Sequence, residues 1–265
     1  MQLKNILFII ISAILLSACE KVVEVQYKDN QPRIVIEGNI TNTPGPYFVK
    51  VSKSIALQDE SPNPVVNNAI VRISDNAGNS ETLVPQGNGT YRTNSLQGTV
   101  GRIYTLTVQA DGQTYSAQST MPAQVPFDSI KVETMDVFGE LEYNLIPVYL
   151  DPIATGNKYR FVLTVNDTLI HQHFVQNDDI KNGVVNTFRL EINDNDLKLV
   201  AGDRIAIDME CIDKQVFTFY STLVQIADSG PGGGTTPSNP PNNFTNGALG
   251  IFSAHTTQRQ TAVIH

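Results

Sequence analysis

Apolar residues recur at every second position in a series of short runs, and a turn-forming cluster closes each run. Ile34, Ile36 and Ile40 alternate with other residues, as do Tyr47, Val49 and Val51; Ala69, Val71 and Ile73; and Tyr104, Leu106 and Val108. Thr43-Pro44-Gly45-Pro46, Asp75 to Asn79, Gln86 to Gly89 and Asp111-Gly112 lie between such runs. A period of two places one face of each segment in a core and the other in solvent, which is the pattern of a half-buried strand. Two prolines interrupt Gln58 to Asn68, which reads as a loop. Short strands at Thr82–Val84 and Thr90–Arg92, and a return strand through Tyr115 and Ala117, bring the total to about seven with no helix. This predicts an immunoglobulin-like β-sandwich over residues 33–121. No Cys…Trp…Cys spacing accompanies it, so the inference concerns architecture alone.

Met121-Pro122-Ala123-Gln124-Val125-Pro126 marks a boundary, with a proline-stiffened linker at 122–126. Strands are expected again at Ser129–Met135, Leu145–Leu150, Lys158–Asn166, Thr168–Val175, Val185–Ile192 and Arg204–Cys211. One helix is expected at 214–228, where Phe217, Tyr220, Val224 and Ala227 follow helical spacing, flanked by Val216 and Leu223. A Gly-, Pro- and Asn-rich loop at 229–246 follows, then an apolar strand at Ala248–Ala254 and a short edge pairing at Val263-Ile264. The expected fold is mainly β: a first sandwich, then a second β-rich sandwich domain at 127–265 carrying one amphipathic helix.

The N-terminus reads as an address. Lys4 precedes an apolar run from Ile6 to Leu16, too short to span a bilayer, and Leu16-Ser17-Ala18-Cys19 resembles the lipobox of bacterial lipoproteins. Residues 1–18 are thus expected to be a cleaved signal peptide, with diacylglycerol on the Cys19 sulfur and a polar, lipid-anchored tether at 19–32. Acyl chains contribute about 0.8 kcal/mol per buried CH2, so two or more such as palmitate anchor stably. The only other cysteine is Cys211, in a strand setting that suggests a packed side chain. Net charge is −8, and Lys and Arg are scattered rather than clustered, which argues against nucleic acid as a partner.

The order of several landmarks resembles a family of Bacteroidota lipoproteins known by a domain of unknown function, DUF4249. The landmarks are Cys19-Glu20-Lys21-Val22, Ile34-Val35-Ile36-Glu37-Gly38, Gly45-Pro46-Tyr47 and Gly101-Arg102-Ile103-Tyr104-Thr105-Leu106. Tyr159-Arg160-Phe161, Gly202-Asp203, Asn239-Pro240 and Gly247-Ala248-Leu249-Gly250-Ile251-Phe252 complete the series. The glycine run at 230–234 departs from the pattern as an insertion. The resemblance implies a cell-envelope lipoprotein, often encoded beside TonB-dependent outer-membrane transporters, on the periplasmic or the surface face. It carries over no catalytic residue and no cofactor.

Few residues suggest chemistry. His171 and His173, two apart on an expected strand, would share a face and could reach one metal, with Asp178 and Asp179 nearby; two solvent-facing polar side chains are the simpler reading. Asp194-Asn195-Asp196 faintly resembles a calcium loop, but Lys198 stands where an oxygen ligand is needed, and a solvated turn capping the next segment is the expected reading. No nucleophile elbow, phosphate loop or zinc-protease motif occurs, and Glu140 with Glu142 is a bare pair of acids that could in principle serve a hydrolase. Glycan binding would need exposed rings, for which Tyr143, Tyr149 and Phe244 are candidates in a chain without Trp. Ser129 and Thr168 sit in Asp-Ser/Thr-apolar triplets that look like O-glycosylation sequons. The expected function is a non-catalytic binding or accessory module at the outer membrane, taking a glycan or peptide or serving a TonB-dependent transporter.

Overall fold

The computed structural model describes residues 31–55, 61–178, 182–192, 197–228 and 239–265. Cys19, the expected tether up to Asn30, Asp179 and Asp194-Asn195-Asp196 lie outside these residues.

The first half forms strands β1 (Ile34–Thr41), β2 (Phe48–Lys53), β3 (Ile70–Asp75), β4 (Ser80–Thr82), β5 (Val84–Gly87), β6 (Thr90–Arg92), β7 (Ile103–Ala110) and β8 (Gln113–Thr120). One sheet has the order β4-β3-β7-β8, and β1-β2-β6-β5 run in the other. The alternating residues meet between them: Ile36, Ile40, Val49 and Tyr91 from one side, Ile73, Tyr104, Leu106 and Val108 from the other, all at most 1% exposed. Each such side chain contributes about 1.5–3 kcal/mol by leaving water. The expected single strand at Thr82–Val84 is two strands in opposite sheets. Leu83, 3% exposed, is the corner between them, and its N–H donates to the Val71 carbonyl at 2.8 Å.

The second half adds β9 (Ser129–Val137), β10 (Glu140–Val148), β11 (Lys158–Val165), β12 (Thr168–Leu169), β13 (Phe174–Asn177), β14 (Arg204–Cys211), α1 (Lys214–Asp228) and β15 (Leu249–Val263). The β9–β10 hairpin packs over the β11–β14 sheet, and Leu145, Tyr149, Tyr159, Phe161, Ile207 and Met209 fill the space. The fold is therefore mainly β, built as two sandwich-like cores with one helix. Two expected strands are absent as such. Thr168–Val175 breaks into β12 and β13 around a loop. Val185–Ile192 makes only isolated bridges, Val185 to Leu150 and Leu190 to Leu145.

The last strand is longer than the pattern predicts. Expected as two pieces, β15 is one run of 15 residues. Its first half pairs parallel to β1 (Val35 with Leu249 through Thr41 with His255), and its second half pairs antiparallel to β14 (Cys211 with Thr256 through Arg204 with Val263). Ala248, Phe252 and Ala254, expected with the second domain, pack in the first core, while Ile264 packs in the second. The polar stretch in the middle of β15 hides this continuity in the sequence. Its amides are used: Gln258 Nε2 donates to Val125 O at 2.5 Å, and Gln260 Nε2 to Phe127 O at 2.7 Å. These bonds hold the 122–126 segment against the sheet, with Met121, Val125 and Phe127 buried. Cys211 is buried as expected, 4% exposed, and receives the Val125 N–H at 3.4 Å; burial pushes its thiol pKa up.

Helix α1 matches its expected span. Asp213 is the N-cap, accepting the Val216 N–H at 2.9 Å on Oδ1. Its Oδ2 accepts Ser119 Oγ–H at 2.5 Å and the Thr120 N–H at 3.0 Å, tying the helix start to β8. Only the first turns grip: Val216 is fully buried, Phe217, Phe219 and Tyr220 are half-buried, and Ala227 is exposed. Asp213→Ala should lower stability by about 2 kcal/mol, the upper end for a lost cap, because Ser119 also loses its acceptor. A reduced urea midpoint at unchanged slope is the expected result.

Candidate functional site

On the outer face of the large sheet, where β2, β1, β15, β14 and β11 are neighbours, α1 leaves a cleft of about 590 Å³. Glu37, Asn39, Phe48 and Lys50 form one wall, and Phe219, Tyr220 and Leu223 of α1 form the other. Strand alternation builds the floor. Tyr159 and Phe161 point into the second core, so Arg160 points out; Met209 and Cys211 point in, so Glu210 points out; Phe252 and Ala254 point into the first core, so Ser253 and His255 point out.

These outward side chains meet. Arg160 Nη1 lies 2.8 Å from Glu210 Oε2, with the two side chains 19% and 10% exposed. His255 Nε2 is 3.5 Å from Glu210 Oε1, and His255 Nδ1 is 2.9 Å from Ser253 Oγ. The Arg160 guanidinium stacks 4.3 Å from the Tyr220 ring centre, and His173 meets the same ring edge-on at 5.1 Å. A cation over a tyrosine face adds about 0.5–2 kcal/mol. The floor is thus a chain of groups in contact: serine, histidine, carboxylate, guanidinium, aromatic ring.

Burial works against the Arg160 charge, but the charge and hydrogen bond of Glu210, together with Tyr220, outweigh it and the guanidinium pKa is raised. His255 is shifted the other way. Burial depresses its pKa below 6.5, Glu210 opposes that shift, and Arg160 reinforces it. A histidine with a depressed folded pKa binds its proton more readily in the unfolded chain. Stability therefore falls as pH drops below about 6.5 toward the folded value. Replacing His255 with glutamine should flatten the fall in melting temperature as pH drops below about 6.5; an unchanged pH slope would show that His255 does not contribute.

The structure separates the residues singled out from the sequence. His171 and His173 lie on the loop between β12 and β13, not on a strand, and both line the cleft. Burial, with the Arg160 charge and then His171, depresses the pKa of His173. That guanidinium also disfavours a dication. Asp178 does not join them: it accepts the backbone N–H groups of Gly156 and Asn157 at 3.0 and 2.8 Å, holding the turn before β11. Among the described residues, no three of His, Cys, Asp and Glu come together as a metal set. Glu140 pairs with Lys198 at 2.9 Å on the exposed hairpin, away from the cleft. Tyr149 is 1% exposed, a core residue and not a sugar platform; Tyr143 and Phe244 are half-buried against the two cores. Ser129 and Thr168 are both exposed, at the starts of β9 and β12.

Arg160, Glu210, Ser253 and His255 escaped the sequence reading. The available signal was a charged or polar residue between two core residues on strands next to an amphipathic helix. That pattern marks a second face buried under the helix.

A two-domain fibronectin type-III segment of chicken tenascin is among the solved structures that match, at 10% identity, a TM-score of 0.21, and 69% coverage of this chain against 92% of that one. No curated protein matches the sequence. The profile of one family matches residues 20–261. The chain belongs to the family described as a domain of unknown function, DUF4249.

Proposed function

We propose that this protein is a lipid-anchored cell-envelope protein of a Bacteroidota bacterium and a non-catalytic binding module, working with a TonB-dependent transporter at the outer membrane. The observation that carries the binding role is the cleft beneath α1. It is preformed, it falls within the 300–1,000 Å³ typical of ligand sites, and it combines aromatic walls with a few fixed polar groups. The Arg160 and Glu210 charges on its floor balance each other, so the floor orients α1 without needing an added charge. The lipobox ending in Cys19 supports the anchoring.

Co-purification from membranes of a tagged, lipidated chain tests the reading. Recovery with a transporter is expected; recovery with none would count against it. Cys19→Ala should abolish labelling by a palmitate analogue and release the chain from membranes, whereas unchanged labelling would refute the anchor.

A second reading rests on one specific observation. Ser253, His255 and Glu210 form a nucleophile–base–acid sequence, as a hydrolase would require. Against it, Ser253 and His255 are 6% and 3% exposed, and a substrate carbonyl must come within about 3 Å of the hydroxyl. Hydrolysis of p-nitrophenyl acetate that disappears in Ser253→Ala would favour this reading. Activity unchanged by that substitution, or none at all, would remove it.

A further inference from the structure

A separate cavity opens at the far side of the second core, about 360 Å³ in volume. Its walls come from two segments that run side by side. The Asp151 N–H donates to Val184 O at 3.0 Å, and the Asn186 N–H to Tyr149 O at 2.9 Å. Val184, Val185 and Phe188 give the mouth an apolar rim, exposed by 45%, 52% and 36%. Inside lie Tyr149, Asp151 and Gln176.

Asp151 is the unusual member. It is 5% exposed, and Tyr159 donates its hydroxyl to Oδ1 at 2.5 Å, but Oδ2 is buried without a hydrogen-bond partner. A buried carboxylate oxygen left unsatisfied costs more than an ordinary lost hydrogen bond. Nearby groups are already engaged. The Asp178 carboxylate takes two backbone N–H groups and faces Lys158 Nζ at 3.9 Å. Gln176 Oε1 accepts the Tyr149 hydroxyl at 3.2 Å, and Gln176 Nε2 donates to Asn186 Oδ1 at 3.2 Å. Among the described residues, the cavity thus holds one uncompensated acid, acceptor capacity on Tyr149 and Gln176, and an apolar entrance.

We propose that this cavity binds a primary ammonium group carried on a short apolar chain, with Asp151 Oδ2 as the principal acceptor and Val184, Val185 and Phe188 against the chain. An ammonium supplies three N–H donors and the missing positive charge. A hydroxyl supplies one donor and no charge, and a carboxylate adds a like charge beside Asp151. Burial raises the Asp151 pKa, Tyr159 opposes that rise and Asp178 adds to it. Affinity for an ammonium therefore increases with pH as this carboxyl ionises.

The probe is pentylamine, titrated calorimetrically into the full chain in phosphate buffer at pH 7, beside pentanol and pentanoate. A saturable heat is expected for pentylamine alone, weakened at least tenfold in Asp151→Asn, where the charge-assisted bond is lost. Equal binding of pentanol, or wild-type affinity in Asp151→Asn, would overturn the proposal. Should Asp151→Asn fail to fold, Val185→Lys places a tethered ammonium at the exposed mouth. It is expected to abolish pentylamine binding while leaving the circular dichroism unchanged; undiminished binding in that variant would equally overturn it.

Discussion

Replacing Glu210 with alanine is expected to destabilise the protein by about 3–5 kcal/mol, because it leaves the Arg160 guanidinium buried with no counter-charge. Arg160 Nε already lacks a hydrogen-bond partner, so the guanidinium has little to fall back on. His255 would lose the carboxylate beside Nε2 as well. The same principle predicts a repair. Replacing Arg160 and Glu210 together with leucine removes both desolvation penalties, and the double variant should lie within about 1 kcal/mol of the parent. Denaturant midpoints of Arg160→Leu, Glu210→Leu and the double variant form a cycle that isolates the pair. If Glu210→Ala alone costs under about 1 kcal/mol, the pair behaves as an exposed one and the cleft floor is wetter than its geometry indicates.

Gly250→Ala should be comparably damaging, at about 3 kcal/mol or more. Two effects add. The residue sits at φ +98°, where a side chain is strained, and a Cβ there would stand 2.0 Å from the Ile36 carbonyl oxygen and 2.8 Å from its carbon. The obstacle is backbone of β1, which cannot swing aside without breaking the parallel pairing with β15. Gly156→Ala is the matched control. It has a similar φ of +101° with nothing within 4 Å of its Cβ, and should cost about 1 kcal/mol. Thermal or denaturant unfolding of both variants separates strain from collision. Similar losses in the two would mean that β15 shifts to accommodate the methyl.

These two sites show why the family landmarks could be recognised in order yet not explained. Ile34 to Gly38 and Gly247 to Phe252 face each other across the parallel pairing of β1 with β15. Gly38 has Val49 Cγ2 at 2.9 Å from its missing Cβ, and Gly250 has the Ile36 backbone, so both glycines answer to neighbours distant in sequence. Tyr159-Arg160-Phe161 is a landmark with two core rings and one outward cation whose partner, Glu210, is 50 positions away. In the first of these landmark groups, Glu37 faces the cleft, although nothing local distinguishes it from an ordinary surface acid.

Period-two alternation and turn residues are local, and they determined most of the first sandwich, the hairpin partners of β7 and β8, and the mainly β class. Helix α1 was equally legible, because its spacing and its end signals lie within one segment. The expected address ending in Cys19 also rests on local residues, which lie outside the described ones. Only the tertiary structure decided that β15 closes one sheet across both cores, because its polar middle is satisfied by contacts with residues far along the chain. The same holds for the cleft. Arg160, Glu210 and His255 stand on three strands, and each is unremarkable in its own segment. Strand pairing brings them onto one face, and the helix that follows β14 covers them.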